Sequence, residues 1–137
     1  MSLLNVFNIA GTGMTAESVR LNLTASNLAN ADSAASSTGQ TYRARYPVFE
    51  AMTNPLVPQA SAEGVRVLGV VQSQSPLRSE YAPNNPLADK NGYIHLPNVN
   101  VVEQMADMIS ASQSYQSNVD VINTSKQLLL KTLTLGQ

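Results

Sequence analysis

Apolar positions in this chain fall into two long heptad series separated by a stretch of different rhythm. In the second series Val101, Met108, Tyr115, Ile122 and Leu129 recur at intervals of seven, and Met105, Val119 and Leu133 fill a neighbouring stripe interrupted by Ser112 and Lys126. This spacing keeps apolar side chains on one side of an α-helix, so residues 98–137 are predicted to form one amphipathic helix, about 55 Å long if continuous. Pro97 precedes it, and no Pro or Gly follows until Gly136. Asn100 with Glu103 three positions later predicts a capping box, in which each side chain satisfies the other residue's free backbone donor. Glu103 and Asp107 lie early and Lys126 and Lys131 late, as the helix dipole prefers.

The first series comprises Phe7, Met14, Leu21 and Leu28, again seven apart, with Ala10, Ala25 and Ala31 beside them. It predicts a helix over residues 2–31, about 45 Å long. Gly11 and Gly13 each cost about 1 kcal/mol relative to Ala in a helix, which predicts a kink, late ordering or close approach of another helix there. The Asn and Asp residues of 27–32 predict the helix end.

Between the two series the pattern changes to β-branched runs, and all seven prolines fall within residues 32–97. Residues 41–52 and 65–73 predict strands, with Pro47 marking an edge or a bulge. Asn84-Asn85-Pro86 predicts a turn, and Asp89-Lys90-Asn91-Gly92 a tight turn opening a short strand over 93–96. The expected fold is mainly α with a small β insertion. An N-terminal axial helix (1–32) and a C-terminal axial helix (98–137) pack as a coiled-coil-like pair forming one core domain, with a β-rich segment (33–97) between them. So few short strands must lean on a helix or on a neighbouring molecule.

One helix hairpin cannot absorb all of the apolar surface. Leu128, Leu129, Leu130, Leu133 and Leu135 surround the end of the second helix, and Val102, Ile109, Val121 and Leu130 lie off its main stripe. Burial of each leucine contributes about 1.5–3 kcal/mol, a substantial drive towards association. The expected assembly interface is Phe7, Met14, Leu21 and Leu28 against Val101, Met105, Met108, Tyr115, Val119, Ile122, Leu129 and Leu133, within or between subunits, with Ile109 and Leu130 beside them. The opposite face, with Ser110, Gln113, Ser117, Asn123, Thr124 and Gln127, is uncharged and polar. It suits the wall of an aqueous channel or, equally, ordinary solvent exposure or polar subunit contact. Long helices without partners gain little from local bonds, so both ends are expected to be partly disordered before assembly.

Composition points the same way. Charged residues make up 12% of the chain, against about 25% in an ordinary soluble domain, and a surface so poor in charge suits packing against protein. The net charge of −1 is built from singly scattered residues, which gives no electrostatic footprint for nucleic acid. Cysteine is absent, excluding disulfides and thiolate chemistry. No basic start with a compact apolar core suggests a cleaved signal, and no run reaches a membrane span.

Candidate chemistry is sparse. Gly11-Thr12-Gly13 lacks the preceding strand and following Lys of a phosphate loop. Asp89, Asn91 and His95 lack the later ligands of a calcium loop. One histidine and nine dispersed carboxylates form no convergent catalytic set. Neither enzymatic activity nor a cofactor nor a metal is expected.

Six stretches carry a family resemblance. Ser26-Asn27-Leu28-Ala29-Asn30-Ala31-Asp32-Ser33 resembles the N-terminal signature of bacterial flagellar rod and hook proteins. Residues 97–105, 114–118 and 130–137 are similar to C-terminal motifs of the short proximal rod members of that family. The likeness includes residues 39–44 and 85–89 and spans essentially the whole chain; residues 52–62 match no family motif. It implies a structural subunit of the periplasm-spanning basal-body rod, exported by the flagellar type III apparatus without a cleaved signal. It further implies a helical arrangement of copies around the export channel, transmitting motor torque. The implied partners are copies of itself, other proximal and distal rod proteins, inner basal-body components and, during secretion, the export apparatus. The rival readings are a membrane-active helical protein and an adaptor of a type III secretion system.

Overall fold

The structure is a computed structural model that describes residues 3–53 and 64–135. Gly136 and Gln137, the last residues of the predicted second helix, lie outside the described residues. Two helices, α1 (Leu3–Ala29) and α2 (Val101–Leu135), enclose four strands in the chain: β1 (Arg45–Met52), β2 (Gly64–Gln72), β3 (Arg78–Tyr81) and β4 (Tyr93–Leu96). The helices pack against each other, and the strands form two separate antiparallel pairs, β1–β2 and β3–β4. The expected class, mainly α with a small β insertion, is the observed one.

Each helix ends where its local chemistry directs. At the start of α2 the Asn100 Oδ1 accepts the amides of Val102 at 3.2 Å and Glu103 at 3.5 Å, satisfying two donors that the helix leaves free. At the end of α1 the Asn30 side chain donates back to the Ser26 carbonyl at 2.8 Å, while Ser33 Oγ donates to the Asn30 carbonyl at 2.8 Å. Gly11 and Gly13 do not interrupt α1, which runs unbroken for 27 residues. Gly13 marks a close approach instead: a Cβ there would lie 2.9 Å from Asn118 Nδ2 on α2.

In the first hairpin β1 pairs with β2 from Arg45 opposite Gln72 to Met52 opposite Gly64, with a register shift between Val48 and Phe49. That bulge follows Pro47, which has no amide to give to the ladder. The predicted strand at 41–52 begins only at Arg45, because residues 41–44 are drawn across the end of α1, where Tyr42 OH donates to Asn27 Oδ1 at 2.8 Å. The hairpin leans on α1: the Val65 amide donates to Thr12 Oγ1 at 3.1 Å, and a Cβ at Gly64 would strike the same side chain.

Strand β3 was absent from the sequence expectation, since Arg-Ser-Glu-Tyr has neither β-branched residues nor apolar alternation. It exists through pairing with β4, from Arg78 opposite Leu96 to Tyr81 opposite Tyr93. Asp89 closes the turn before β4, accepting the amides of Asn91 at 2.8 Å and Tyr93 at 2.9 Å, and Gly92 takes the positive φ of 82° that this turn requires. Burial is densest where the insertion meets the helix pair: Ala31, Ala44 and Val99 are enclosed, with Tyr42 and Tyr46 packed against them.

Candidate assembly interface

A buried amide organises this junction. Asn27, in the last turns of α1, is 1% exposed. Its Nδ2 donates to the Arg45 carbonyl and to Gln104 Oε1, both at 2.8 Å. Its Oδ1 accepts Tyr42 OH at 2.8 Å and the Arg45 amide at 2.9 Å. One side chain thereby ties α1, α2 and the root of β1 together with all its polar capacity used, as burial demands. Gln104, equally buried, also donates to Tyr46 OH at 3.5 Å. Burial, followed by the charges of Glu103 and Asp107, raises the Tyr46 phenol above its ordinary pKa, so it stays a neutral hydroxyl.

Two further side chains fasten the insertion. Asn98 Oδ1 accepts the Ala44 amide at 2.9 Å, and its Nδ2 donates to the Ser75 carbonyl at 2.8 Å. Arg78 on β3 donates to the carbonyls of Pro97 and Ala31, each at 3.2 Å. The motif at residues 26–33 is therefore a structural joint.

From this joint the helices run antiparallel, with Asn27 meeting Gln104 and Gly13 meeting Asn118. The seam on α2 consists of Gln104, Ala111, Asn118 and Ser125, seven apart, of which Ala111 is 0% exposed. On α1, Ala10, Ala16, Thr24 and Asn27 are buried. Small and polar residues thus line the closest approach, displaced by three positions from the Val101–Leu129 series. Periodicity weighted by hydrophobicity selects large side chains, whereas two helices in close contact select small ones. Arg20 bridges the pair, donating to Asp107 at 2.9 Å.

The predicted interface residues accordingly flank the seam or face away from it. Phe7, Met14, Leu21, Leu28, Met108, Tyr115, Val119, Ile122 and Leu129 are half-buried. Met14 and Tyr115 line one shallow groove of about 390 Å³ with Gly11, Thr15, Ser18 and Val19. Val101, Met105, Ile109, Leu130 and Leu133 are exposed, with Leu133 at 61%, and the off-stripe Val102 reaches 76%. The polar face (Ser110, Gln113, Ser117, Asn123, Thr124, Gln127) is exposed along its whole length. Counting back along α1 from Gly13 to Leu3 brings α2 to about Leu128, so its last two turns extend beyond the described residues of α1.

No group of acids and histidines able to hold a metal occurs among the described residues. His95 lies 3.7 Å from Asp89 and 3.2 Å from Ser79, within the second hairpin, where these contacts hold the turn. No helix is long and apolar enough to cross a membrane among the described residues.

Comparison with known proteins matches these same elements. The family described as "Flagella basal body rod protein" matches residues 7–34, and "Flagellar basal body rod FlgEFG protein C-terminal" matches residues 90–135. The flagellar basal-body rod protein FlgC of Escherichia coli O6:H1 is 54% identical over 137 residues, covering 100% of both chains. That of Salmonella typhimurium is 53% identical over the same extent. The chain belongs to the FlgC family of flagellar basal-body rod proteins.

The FlgC relative of Buchnera aphidicola subsp. Acyrthosiphon pisum is 42% identical, again with 100% of each chain covered. The chain is thus a structural subunit of the flagellar basal-body rod, from a family not known as enzymes, and the membrane-active and adaptor readings are not favoured. The two family matches fall on opposite sides of the joint, and the first contains Asn27 while the second contains Gln104. The sequence marks Asn27 only as a helix-end and motif residue and Gln104 only as part of a motif, because a buried amide has no periodic signature of its own.

Proposed function

We propose that the exposed apolar side of α2 is the surface by which this rod subunit packs against neighbouring subunits in a helical array around the export channel. The observation that carries this reading is the division of labour on α2. Small and polar residues occupy the intramolecular seam, while Val102, Met105, Ile109, Leu130 and Leu133 stand exposed. Burying them would add about 1.5–3 kcal/mol per large side chain, a reward available only through intermolecular contact. Head-to-tail contacts of this kind generate an open array, whereas a two-fold contact closes on itself.

In this reading copies of the chain join other proximal rod proteins, meeting inner basal-body components on one side and the distal rod on the other. The array spans the periplasm and transmits torque. The chain passes through the flagellar export apparatus without a cleaved signal. The joint around Asn27 keeps the insertion at a constant angle to the helix pair, which a torque-bearing part needs. Phe7, Met14, Leu21 and Leu28, half-buried along α1, complete the same interface from the other helix.

Incorporation of the double variant L130D/L133D into rods tests this reading. Both residues are exposed in the single chain, so the variant is expected to fold and to keep its helical content, yet to be missing from purified basal bodies. Normal incorporation would overturn the proposal.

A further inference from the structure

Behind the joint, the loop that leads from α1 to β1 frames an open pocket of about 720 Å³ whose walls include Asn30, Ser33, Thr38, Arg43, Arg45 and Gln72. Its lining contains two arginines and no carboxylate. Neither the stretch 33–45 nor the stretch 67–79 contains an Asp or Glu. The nearest acid in sequence, Asp32, is turned to Arg78 at 3.9 Å. Arg43 is held in the wall, donating through Nη1 to the carbonyls of Ser73 at 3.1 Å and Ser75 at 3.2 Å. Arg45 is exposed and has no ion-pair partner among the described residues, and its guanidinium lies 5.4 Å from the centre of the Tyr42 ring. The ring restrains the guanidinium in one place, which reduces the entropy lost when it binds an anion.

The joint explains why Arg45 stands there. Asn27 grips its backbone through both the amide and the carbonyl, at 2.9 and 2.8 Å, and leaves the side chain out of the network. The core thus presents a positioned cation to a pocket whose other walls carry hydroxyl and amide groups, the donors and acceptors that match a peptide backbone, beside Ala34, Ala35 and Gly39. From this geometry we propose that the pocket receives an acidic peptide segment of another protein, with a carboxylate seated on Arg45 and the neutral polar wall satisfying the segment's backbone. The pocket is larger than an inorganic anion needs, and Arg pairs with carboxylates through two parallel hydrogen bonds. Identifying that other protein as a fellow rod component rests on the rod reading; binding itself does not.

The test is a titration of the isolated full chain, followed by backbone amide NMR, with a capped glycine–serine peptide carrying two glutamates. Its glutamine counterpart and citrate are run in parallel. The glutamate peptide is expected to shift amides of residues 30–45 and of Gln72 and to saturate, whereas the glutamine peptide does neither. Arg45→Gln should weaken binding about tenfold, with Arg45→Lys in between. Since Asn27 contacts only the Arg45 main chain, unchanged resonances of Asn27 and Gln104 would verify that the joint is intact. Equal binding of the glutamine peptide, or no effect of Arg45→Gln, would overturn the proposal. Citrate binding as tight as the peptide would reduce the pocket to a simple anion site and also overturn it. Self-association that Arg45→Gln abolishes, read by sedimentation, would make a second copy the occupant and overturn the assignment to another protein. Because the titration is done on the unassembled chain, its outcome is independent of incorporation into rods.

Discussion

Asn27 Nδ2 and Gln104 Oε1 meet at 2.8 Å in the buried joint between the two helices, where both residues are 1% exposed. A buried amide pair sets register as well as adding stability, because any sliding of one helix on the other leaves unsatisfied polar groups in an apolar place. Asn27→Ala would strand the Tyr42 hydroxyl, both Arg45 backbone groups and the Gln104 amide. Chemical denaturation of the isolated chain is expected to show a loss of about 2–3 kcal/mol. A loss below 0.5 kcal/mol, by the same measure of an unsatisfied group, would show that the joint is not what holds the insertion to the helices.

The two glycines of α1 should respond in opposite ways. A Cβ at Gly11 meets nothing within 4 Å, so Gly11→Ala is expected to stabilise the protein, by about 0.5–1 kcal/mol. At Gly13 even a Cβ lies 2.9 Å from Asn118 Nδ2, so Gly13→Leu is expected to push the helices apart and lower the melting temperature. Thermal unfolding of the two variants checks both signs; stabilisation by Gly13→Leu would contradict the close seam.

Much of the fold was legible from sequence, for identifiable reasons. Both helices announce themselves by heptads, the start of α2 by Asn100, and the turn before β4 by Asp89 and Gly92. The seam was not legible, since Ala111, Asn118 and Ser125 carry no strong hydrophobic signal and their importance lies in being small. Strand β3 was hidden because its reason for existing is its partner β4. The expected assembly interface leaves open which contacts lie within a subunit and which between subunits, and in the single chain much of the predicted stripe lies beside the helix seam or outside it. The large side chains were located correctly on their helices while the direction each faces depended on the register imposed by Asn27 and Gln104.

The turn before β4 should loosen only in acid. Hydrogen bonding by the Tyr93 amide, then by Asn91 and Gly92, with the nearby His95 charge, holds the Asp89 carboxyl below its ordinary pKa of 3.8. A carboxylate with a lowered folded-state pKa contributes stability that is present above its unfolded value and lost as pH falls through the folded one. The amides of Asn91 and Tyr93 are therefore expected to keep their shifts above pH 4 and to lose protection as the pH drops further. Asp89→Asn, which retains the Oδ1 acceptor, should keep the turn while removing this acid sensitivity.

Protection from amide exchange in the unassembled chain should be graded from the joint outward. Residues 24–31 and 99–111 share the buried core and the amide network, whereas the last turns of α2 extend past the described residues of α1 and expose Leu128, Leu130 and Leu133. Exchange is expected to be slowest around Asn27 and Gln104 and fastest beyond Leu128. Uniformly strong protection to the end of α2 would contradict an end that waits for a neighbour.

The central claim, that the outer apolar side of α2 is covered by other subunits, is tested most directly by single cysteines at Val102, Met105, Ile109, Leu130 and Leu133. The chain has no cysteine of its own to interfere. Thiol labelling is measured in the isolated chain and in purified rods, with Ser110, Gln113 and Ser117 as positions on the polar face. The account predicts fast labelling of all positions in the isolated chain. In rods it predicts near-complete loss at the apolar five, while labelling retained at the polar three would mark that face as bordering the channel. Apolar positions that label as fast in rods as in the isolated chain would contradict it.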